Sequence, residues 1–293
     1  MRESAILKTA GGGNTMDWIN RLNQAIDFIE ENLDGELDYE EVARIAGCPS
    51  YYFQQMFLYI TDMTLREYIR RRRLSLSAVE LQKGNGNVTD IAMKYGYESP
   101  TAFTRAFKNF HGITPSAVKT ESVSFQAYPP ISFSMAIHGG VPLQFRIEEK
   151  EAFRILGRSC PLSKELTENF ERIPAVWDAA LADGTLARLL SMAEGKPEGL
   201  LGVSIHHTED WKYLIAVRSD QKPGEYEEYQ IPACKWAVFE GKGTNRTLQE
   251  LERRVITQWL PTSGYTYAEI PDIEVYLRAD PEDAVYEYWL PVR

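Results

Sequence analysis

The chain has 293 residues, of which 44% are hydrophobic, and this length and composition are typical of about two folded domains. Its net charge of −10 disfavours nucleic-acid binding only if the charge is evenly spread, and five arginines lie between positions 66 and 73. No apolar run approaches the roughly 20 residues that cross a bilayer, and three scattered cysteines with four histidines form neither a disulfide framework nor a metal-ligand cluster. We therefore expect a cytoplasmic protein that holds no metal and no cofactor.

The first segment, residues 1–15, lacks the apolar stretch of an export signal and is expected to form a disordered tail. An all-α domain is predicted over residues 16–120. Within it, Asp38 and Glu41 form a helix-capping pattern, and the helix that they start is predicted to end at Gly47. A second helix follows after a short turn, so the spacing predicts a helix-turn-helix unit.

A longer helix is predicted from Thr64 to Lys83, because Thr64 and Glu67 form another capping pattern and Gly84 stops the helix. Twenty residues in a helix make a rod of roughly 30 Å. Successive major grooves on one side of B-DNA are about 34 Å apart. A rod of this length would therefore hold two recognition helices one turn of the duplex apart.

The helix-turn-helix pattern occurs again after the rod. Phe53 and Phe57 are repeated as Phe103 and Phe107, and each pair lies one helical turn apart. The alternative interpretation is an ordinary helical bundle whose polar faces are merely solvated. The matched repeat and the arginines on the connecting rod favour DNA binding over that alternative.

In each helix-turn-helix unit, the spacing of the two phenylalanines places them on the side of the second helix that faces the core. The residues on the opposite side of that helix are therefore the candidate DNA contacts. Glutamine pairs naturally with adenine and arginine with guanine, and tyrosine or proline offers apolar surface to thymine methyl groups. Arginines of the rod, and basic residues on the second helix of the second helix-turn-helix unit, are candidates for phosphate contacts. The candidate DNA-binding residues are Tyr51, Tyr52, Gln54, Gln55, Arg70, Arg71, Pro100, Thr101, Thr104, Arg105 and Lys108.

The helical half resembles the AraC-type transcription regulators, and among them the Rob-like subgroup, over about residues 17–119. The resemblance is carried by "DIAMKYGYESPTAFTRAFKNFHGITPSAV" from Asp90 and "YIRRRRLSLSAVEL" from Tyr68. It implies a DNA-binding regulator that activates transcription by touching RNA polymerase. It also implies base contacts from the same positions on both second helices.

A linker is predicted over residues 121–144, with a short strand at Ile131–Ile137, because paired prolines and paired glycines interrupt regular structure. From residue 145 to 293, the pattern predicts an α+β domain in which a strand-helix-strand-strand unit occurs twice. The predicted fold is therefore multidomain, with an all-α double helix-turn-helix domain before the α+β domain. The predicted elements of the second domain are a strand at Phe145–Arg158, a helix at Asn169–Met192, a hairpin from "GLLGVSIH" and "WKYLIAVRS", a strand "CKWAVFEGKG", a helix at Arg246–Trp259 and a hairpin from "DIEVYLRA" and "VYEYWLPV".

This half resembles the gyrase-inhibitor-like effector-binding domains over about residues 145–293. The matching segments are "CKWAVFEGKG", "WLPTSGY" and "IPDIEVYL". The resemblance implies that Glu274 lies on the floor of an aromatic-walled cavity and holds the positive charge of lipophilic cations. Strand alternation puts Glu274 and Tyr276 on one face, where a carboxylate beneath aromatic rings would attract a delocalised cation. The candidate ligand-binding residues are Glu274, Tyr276, Trp177, Tyr213, Trp236, Trp259 and Tyr265.

The sequence therefore predicts a transcription regulator, not an enzyme, that reads two successive major grooves of double-stranded DNA and senses a small, lipophilic cationic ligand. The alternative is a hydrolase of small electrophilic toxins, which would need a second acid or a tyrosine opposite Glu274 to manage a proton. A third interpretation is a scaffold whose pocket no longer binds a ligand.

Overall fold

The computed structural model of the protein describes residues 12–120, 123–134, 141–206 and 210–293. The chain forms two compact units: a helical unit from Met16 to Ala136, and a sheet unit that contains Ile137–Arg293. Of the tail predicted at residues 1–15, positions 1–11 lie outside the described residues, whereas positions 12–15 belong to the first helix. This corrects the prediction, because the glycines at 12 and 13 weaken a helix by about 1 kcal/mol each but do not block its geometry.

The helical unit repeats one arrangement, in which a short helix, a tight turn and a second helix stand before and after one long helix. The pair α2 and α3 precedes the long helix α4, and the pair α5 and α6 follows it. The bounds are α1 Gly12–Glu31, α2 Tyr39–Ala46, α3 Ser50–Thr61, α4 Leu65–Lys83, α5 Val88–Lys94, α6 Pro100–His111 and α7 Pro115–Thr120.

Side-chain caps and glycines set the ends of these helices. The side chains of Asp38, Thr64 and Ser99 each accept a hydrogen bond from a backbone N–H in the first turn of the helix that follows. Gly47 and Gly84 end α2 and α4 with φ values of 76° and 75°, a left-handed conformation that glycine adopts without steric strain. The predicted roles of these residues as helix boundaries are confirmed.

The predicted rod is confirmed as one helix. The 19 residues of α4 span about 28 Å at 1.5 Å per residue. This helix contacts α3 of the first copy and both α5 and α6 of the second. Phe53 is 1% exposed, and Phe57, Phe103 and Phe107 are fully buried. Both copies are thus built around the same pair of core rings and are fixed to one rigid element.

Residues 123–134, which we call the strap, lie along the helical unit in an extended form without regular secondary structure. The Asn23 side-chain amide donates to the carbonyl of Phe133 at 3.0 Å and accepts its N–H at 2.7 Å. The ring of Phe133 packs edge-on against Phe57, with ring centroids 6.2 Å apart. The short strand predicted at 131–137 is wrong for residues 131–134, because side chains take the place of a partner strand, and residues 135–137 lie outside the described part. The side chains that hydrogen-bond the backbone of the strap are those of Asn23, Tyr68, Arg72 and Ser75.

The sheet unit is built around one antiparallel sheet with the strand order β1-β6-β8-β7-β3-β4-β2-β5. The two predicted hairpins, β3-β4 and β7-β8, are confirmed, and their β3 and β7 strands meet at the centre of the sheet. A π-helical turn at Val255–Trp259 joins α10 to α11. The bounds are β1 Phe145–Lys150, β2 Phe153–Pro161, α8 Leu166–Ala182, α9 Thr185–Met192, β3 Leu200–Ile205, β4 Lys212–Arg218, β5 Glu227–Ile231, β6 Cys234–Gly243, α10 Asn245–Arg254, α11 Leu260–Ser263, β7 Ile273–Arg278 and β8 Ala284–Val292.

Three elements of this unit differ from the prediction. The strand predicted at 145–158 is two strands, because β1 pairs with β6 while β2 pairs with β4 and β5 on the far side of the sheet. The helix predicted at 169–192 is divided at Gly184, whose φ of 76° lies in the left-handed region. The strand β5 was not predicted, since its sequence "EEYQI" has only two residues that favour a strand by bulk and branching.

The two faces of the sheet have different contents. Glu274 is paired with Gly202 on β3 and with Tyr288 on β8, so these three residues share one face. The neighbouring position Val275 lies on the other face, within an apolar core that includes Trp236 and Trp289. The acidic and hydroxyl groups are therefore concentrated on one side of the two central strands.

Candidate functional site

The α6 helix presents the polar face that the sequence predicts. Thr101, Arg105 and Lys108 are exposed, and Pro100 and Thr104 are partly exposed. Neither Arg105 nor Lys108 forms an ion pair with any residue that the structure describes. The helix therefore offers two unpaired cations beside two hydroxyl groups, which suits contacts to phosphates and base edges.

The outward face of α3 is narrower than predicted. Tyr51 and Gln54 are partly exposed, whereas Tyr52 is 3% and Gln55 8% exposed. The prediction that Tyr52 and Gln55 point outward is therefore wrong in this structure. The reason is that α3 carries aromatic or aliphatic side chains on most of its sides, and Gln55 donates its amide N–H to the hydroxyl of Tyr59 at 3.4 Å.

The arginines of α4 are mostly engaged within the helical unit. Arg70 and Arg71 both pair with Glu67, at 2.7 and 2.6 Å. Arg72 is 8% exposed and pairs with Glu30 at 2.6 Å. The two candidates Arg70 and Arg71 keep partly exposed guanidinium groups, but each would have to share its charge between Glu67 and a phosphate.

Two other arginines of the same run have different environments. The guanidinium of Arg73 donates to the backbone carbonyls of Leu33 and Gly35, at 2.9 and 2.6 Å, so it fixes the turn after α1. Arg66 is exposed and forms no ion pair within the described part of the chain. Arg66 is therefore a better phosphate candidate than its neighbours, and its place one turn before Arg70 was the only sequence signal for it.

In the sheet unit, Glu274 lies at the centre of a directed hydrogen-bond network. The hydroxyls of Tyr213 and Tyr276 each donate to Oε2 of Glu274 at 2.9 Å. Trp177 on α8 donates its indole N–H to the Tyr213 hydroxyl, also at 2.9 Å. Because both tyrosine protons go to Oε2, the other oxygen, Oε1, accepts no hydrogen bond from a described residue. One oxygen of the carboxylate is thus held in place by two hydrogen bonds, whereas the second has none from the described residues.

Gly202 makes this network possible. It lies opposite Glu274 in the pairing of β3 with β7. A Cβ atom at this position would collide with the Tyr213 hydroxyl and would lie 2.5 Å from Oε2 of Glu274. The absence of a side chain therefore opens the space in which the tyrosine and the carboxylate meet. Sequence analysis missed this role because the pairing partner of a strand residue cannot be identified from its own neighbours.

The environment of Glu274 favours its neutral form. Burial raises the pKa of Glu274 to about 7, although the hydrogen bonds from Tyr213 and Tyr276 favour the carboxylate. The negative charge of Asp272 makes a smaller contribution to this increase in pKa. Burial also raises the pKa of both tyrosine hydroxyls well above the usual value, so they remain donors at neutral pH.

Asp272 is a second buried carboxyl group, two residues before Glu274 and immediately before β7. It is 9% exposed, and its Oδ2 accepts a hydrogen bond from Tyr288 at 2.8 Å. Burial raises the pKa of Asp272 to about 6. Two acids that both bind a proton more tightly than usual therefore lie side by side, and a nearby cation would lower the pKa of each.

A cavity of about 140 Å³, which we call the outer cavity, lies next to this network. Trp177 and Tyr276 belong to its wall, and their ring centroids are 4.8 Å apart. Glu274 is not part of the lining, but the hydroxyl of Tyr276, which does line the cavity, donates to its carboxylate. The rest of its wall includes Ile173, Pro174, Asp178 and Asp280.

Three predicted wall residues lie elsewhere. Trp236 is fully buried on the opposite face of the sheet, where its ring packs against Trp289 at 5.8 Å. Trp259 and Tyr265 stack on each other at 5.9 Å, and Trp259 also contacts Phe239 on β6. The predicted place of Trp236 is wrong because both faces of β6 are buried, so aromatic character does not identify the pocket side. Trp177, Tyr213 and Tyr276 are brought to Glu274, whereas Trp259 and Tyr265 form a separate cluster.

No described helix is both long enough and apolar enough to cross a membrane. No group of three or more His, Cys, Asp or Glu side chains among the described residues is arranged to hold a metal ion.

Comparison with known proteins identifies the class to which this architecture belongs. Residues 143–293, about half of the chain, match the GyrI-like small molecule binding domain, and residues 42–121 match a helix-turn-helix domain. The activator AarP of Providencia stuartii is 36% identical over 104 residues, which are 36% of this chain and 77% of AarP. The chain therefore belongs to the AraC-type helix-turn-helix regulators, and its C-terminal half is a GyrI-like small-molecule binding domain.

Two further relatives differ in how much of their length is matched. The TetD protein of transposon Tn10 from Escherichia coli is 45% identical over 89 residues, which are 30% of this chain and 64% of TetD, so less than two thirds of that relative is covered. The right origin-binding protein of Escherichia coli is 27% identical over 274 residues, which are 90% of this chain and 93% of that protein. The similarity to the second protein extends across both units.

Proposed function

We propose that this protein is a cytoplasmic, one-component transcription activator that binds duplex DNA through α3 and α6 and responds to a lipophilic cation held at Glu274. The carrying observation is that two matched helix-turn-helix units are fixed to one unbroken helix of about 28 Å. This length is close to the roughly 34 Å between successive major grooves on one side of B-DNA. One chain can therefore place both helices on the same side of one duplex.

The proposed DNA contacts follow from exposure. On α6, Thr101, Thr104 and Arg105 are the base-reading residues, and Lys108 neutralises a phosphate. On α3, Tyr51 and Gln54 are available for base contacts. The α3 helix therefore makes fewer polar contacts with DNA than α6 and tolerates more sequence variation in its half-site.

The DNA-binding part is tested by footprinting on genomic fragments, followed by fluorescence anisotropy at several salt concentrations. We expect one molecule to protect two adjacent major grooves, and affinity to fall steeply with salt because phosphate neutralisation releases counterions. A flat salt dependence, or protection of a single groove, would contradict the proposal. The similarity to the activator AarP supports activation, and contact with RNA polymerase is tested by transcription from a protected promoter in vitro.

The proposed ligand is a lipophilic cation because the carboxylate of Glu274 lies beside the aromatic side chains of Tyr213 and Tyr276 and has one oxygen that accepts no hydrogen bond from the described residues. A delocalised cation gains from the charge and from the ring faces without requiring hydrogen bonds. Thermal denaturation with tetraphenylphosphonium tests this. Wild-type protein should be stabilised, Glu274→Gln should not, and the exposed control Glu269→Gln should behave as wild type.

One observation favours the alternative function as a hydrolase of small electrophilic toxins. Such chemistry needs a proton-managing group near Glu274, and Tyr213 and Tyr276 both donate to its carboxylate. A Glu274 that holds a proton at neutral pH could donate it to a leaving oxygen while water adds to the electrophilic carbon. Loss of an alkylating substrate in the absence of DNA, abolished by Glu274→Gln, would favour this alternative, and its absence together with cation binding would favour sensing.

A further inference from the structure

The outer cavity has a negatively charged rim. Asp178 on α8 and Asp280 in the β7-β8 turn are both exposed and both line it. Neither carboxylate forms an ion pair with a residue in the described part of the chain. Two basic side chains that reach this turn, Lys242 and Arg278, both pair with Asp283 instead, at 3.2 and 2.6 Å.

The same cavity has an apolar and aromatic wall. Ile173 and Pro174 contribute aliphatic surface, and the rings of Trp177 and Tyr276 complete that wall. A site with two uncompensated negative charges at its edge and ring faces inside is complementary to a cation with an apolar body. It offers little to an anion, which the rim would repel, or to a neutral sugar, which needs many hydrogen bonds.

We propose that the outer cavity is a capture site for monovalent lipophilic cations, in which Asp178 and Asp280 attract the cation before it reaches Glu274. This inference rests on the proposed sensing function. Because both carboxylates are in water, they contribute little to the final affinity and act mainly on the rate of association. Tyr276 lines the cavity and also donates a hydrogen bond to Glu274, so it connects the capture site to the carboxylate.

The proposal predicts that Asp178 and Asp280 control the rate of cation association, whereas Glu274 controls the rate of dissociation. In the double variant Asp178→Asn/Asp280→Asn, the association rate constant for tetraphenylphosphonium at low salt should fall about three- to tenfold, and its salt dependence should flatten. The dissociation rate constant should stay within about twofold of wild type. In Glu274→Gln the dissociation rate should rise, while the salt dependence of association remains that of wild type.

Stopped-flow measurement of tryptophan fluorescence on the full chain tests these expectations, with folding of each variant checked by thermal denaturation. The matched control is Glu168→Gln/Glu171→Gln, which removes two exposed charges from the same helix α8 outside the cavity and should leave the association rate unchanged. Wild-type association by the rim variant, or equal slowing in the control, would overturn the capture site while leaving sensing intact. If wild-type protein binds no lipophilic cation at all, both the sensing function and the capture site are wrong.

Discussion

Replacing Gly202 by alanine should uncouple Tyr213 from Glu274. The added Cβ would collide with the Tyr213 hydroxyl and lie 2.5 Å from Oε2 of the carboxylate, so one group has to move. Tyr213 is fully buried and Glu274 is partly exposed, so the carboxylate is the group that can yield. The hydrogen bond between them would then be lost.

The size of the effect follows from that one bond. A hydrogen bond to a charged group contributes about 1.5–3 kcal/mol, and 1.36 kcal/mol corresponds to one pKa unit. Loss of the Tyr213 donor should therefore raise the pKa of Glu274 from about 7 by roughly one to two units. At pH 7 the ionised fraction, and with it the affinity for a cation, should fall roughly 5- to 50-fold. Above the new pKa, affinity should recover.

Isothermal titration calorimetry with tetraphenylphosphonium between pH 6 and pH 10 measures this directly. The midpoint of the rise in affinity with pH should move upward in Gly202→Ala. Gly241→Ala is a matched control, because a Cβ there would collide with the ring of Tyr286 on the same face, whose hydroxyl donates to Thr247 and not to Glu274. Both variants should lose about 1–3 kcal/mol of stability from overpacking. An unchanged midpoint in Gly202→Ala, or an equal shift in the control, would refute the proposed role of Gly202.

Three further predictions concern charge. Because the native state holds the proton on Glu274 more tightly than the unfolded chain, ligand-free stability should fall as pH rises from about 4.5 to about 7, and Glu274→Gln should reduce this slope in urea denaturation. Arg72→Ala should cost about 3–5 kcal/mol in the same assay, because it leaves the carboxylate of Glu30 poorly paired, whereas Arg66→Ala should cost less than about 0.5 kcal/mol. Arg105→Ala should weaken DNA binding and relax the base preference without changing the salt slope, as expected for a base-reading residue; a slope lower by about one would assign Arg105 to a phosphate contact instead.

The helix-turn-helix repeat could be predicted because local chemistry determines it. Caps such as Asp38 and Ser99, and a glycine such as Gly47, act within one turn of the residues that they fix. The rod was predictable for the same reason, since Thr64 and Gly84 delimit a run without helix breakers. Residue spacing also identified the buried phenylalanines correctly.

The interior of the sheet unit was less predictable. Strand alternation placed Glu274 and Tyr276 correctly, because β7 alternates clearly. It failed for Trp236, because β6 is buried on both faces and its alternation carries no information about which side faces the pocket. The role of Gly202 depends on the register between β3 and β7, which lie about 70 positions apart in the sequence. Arg72 was likewise unpredictable as a core group, because its partner Glu30 lies three helices earlier.

The strap determines where the polypeptide can be truncated to give a folded DNA-binding fragment. Asn23, Tyr68, Arg72 and Ser75 hold the strap through its main-chain atoms, and the ring of Phe133 adds a side-chain contact. A fragment cut after α7 would expose the polar groups that now satisfy this backbone, together with the ring face of Phe57 that Phe133 covers. An isolated DNA-binding fragment of this chain should therefore retain residues through 134, and fusion partners should be attached beyond that point.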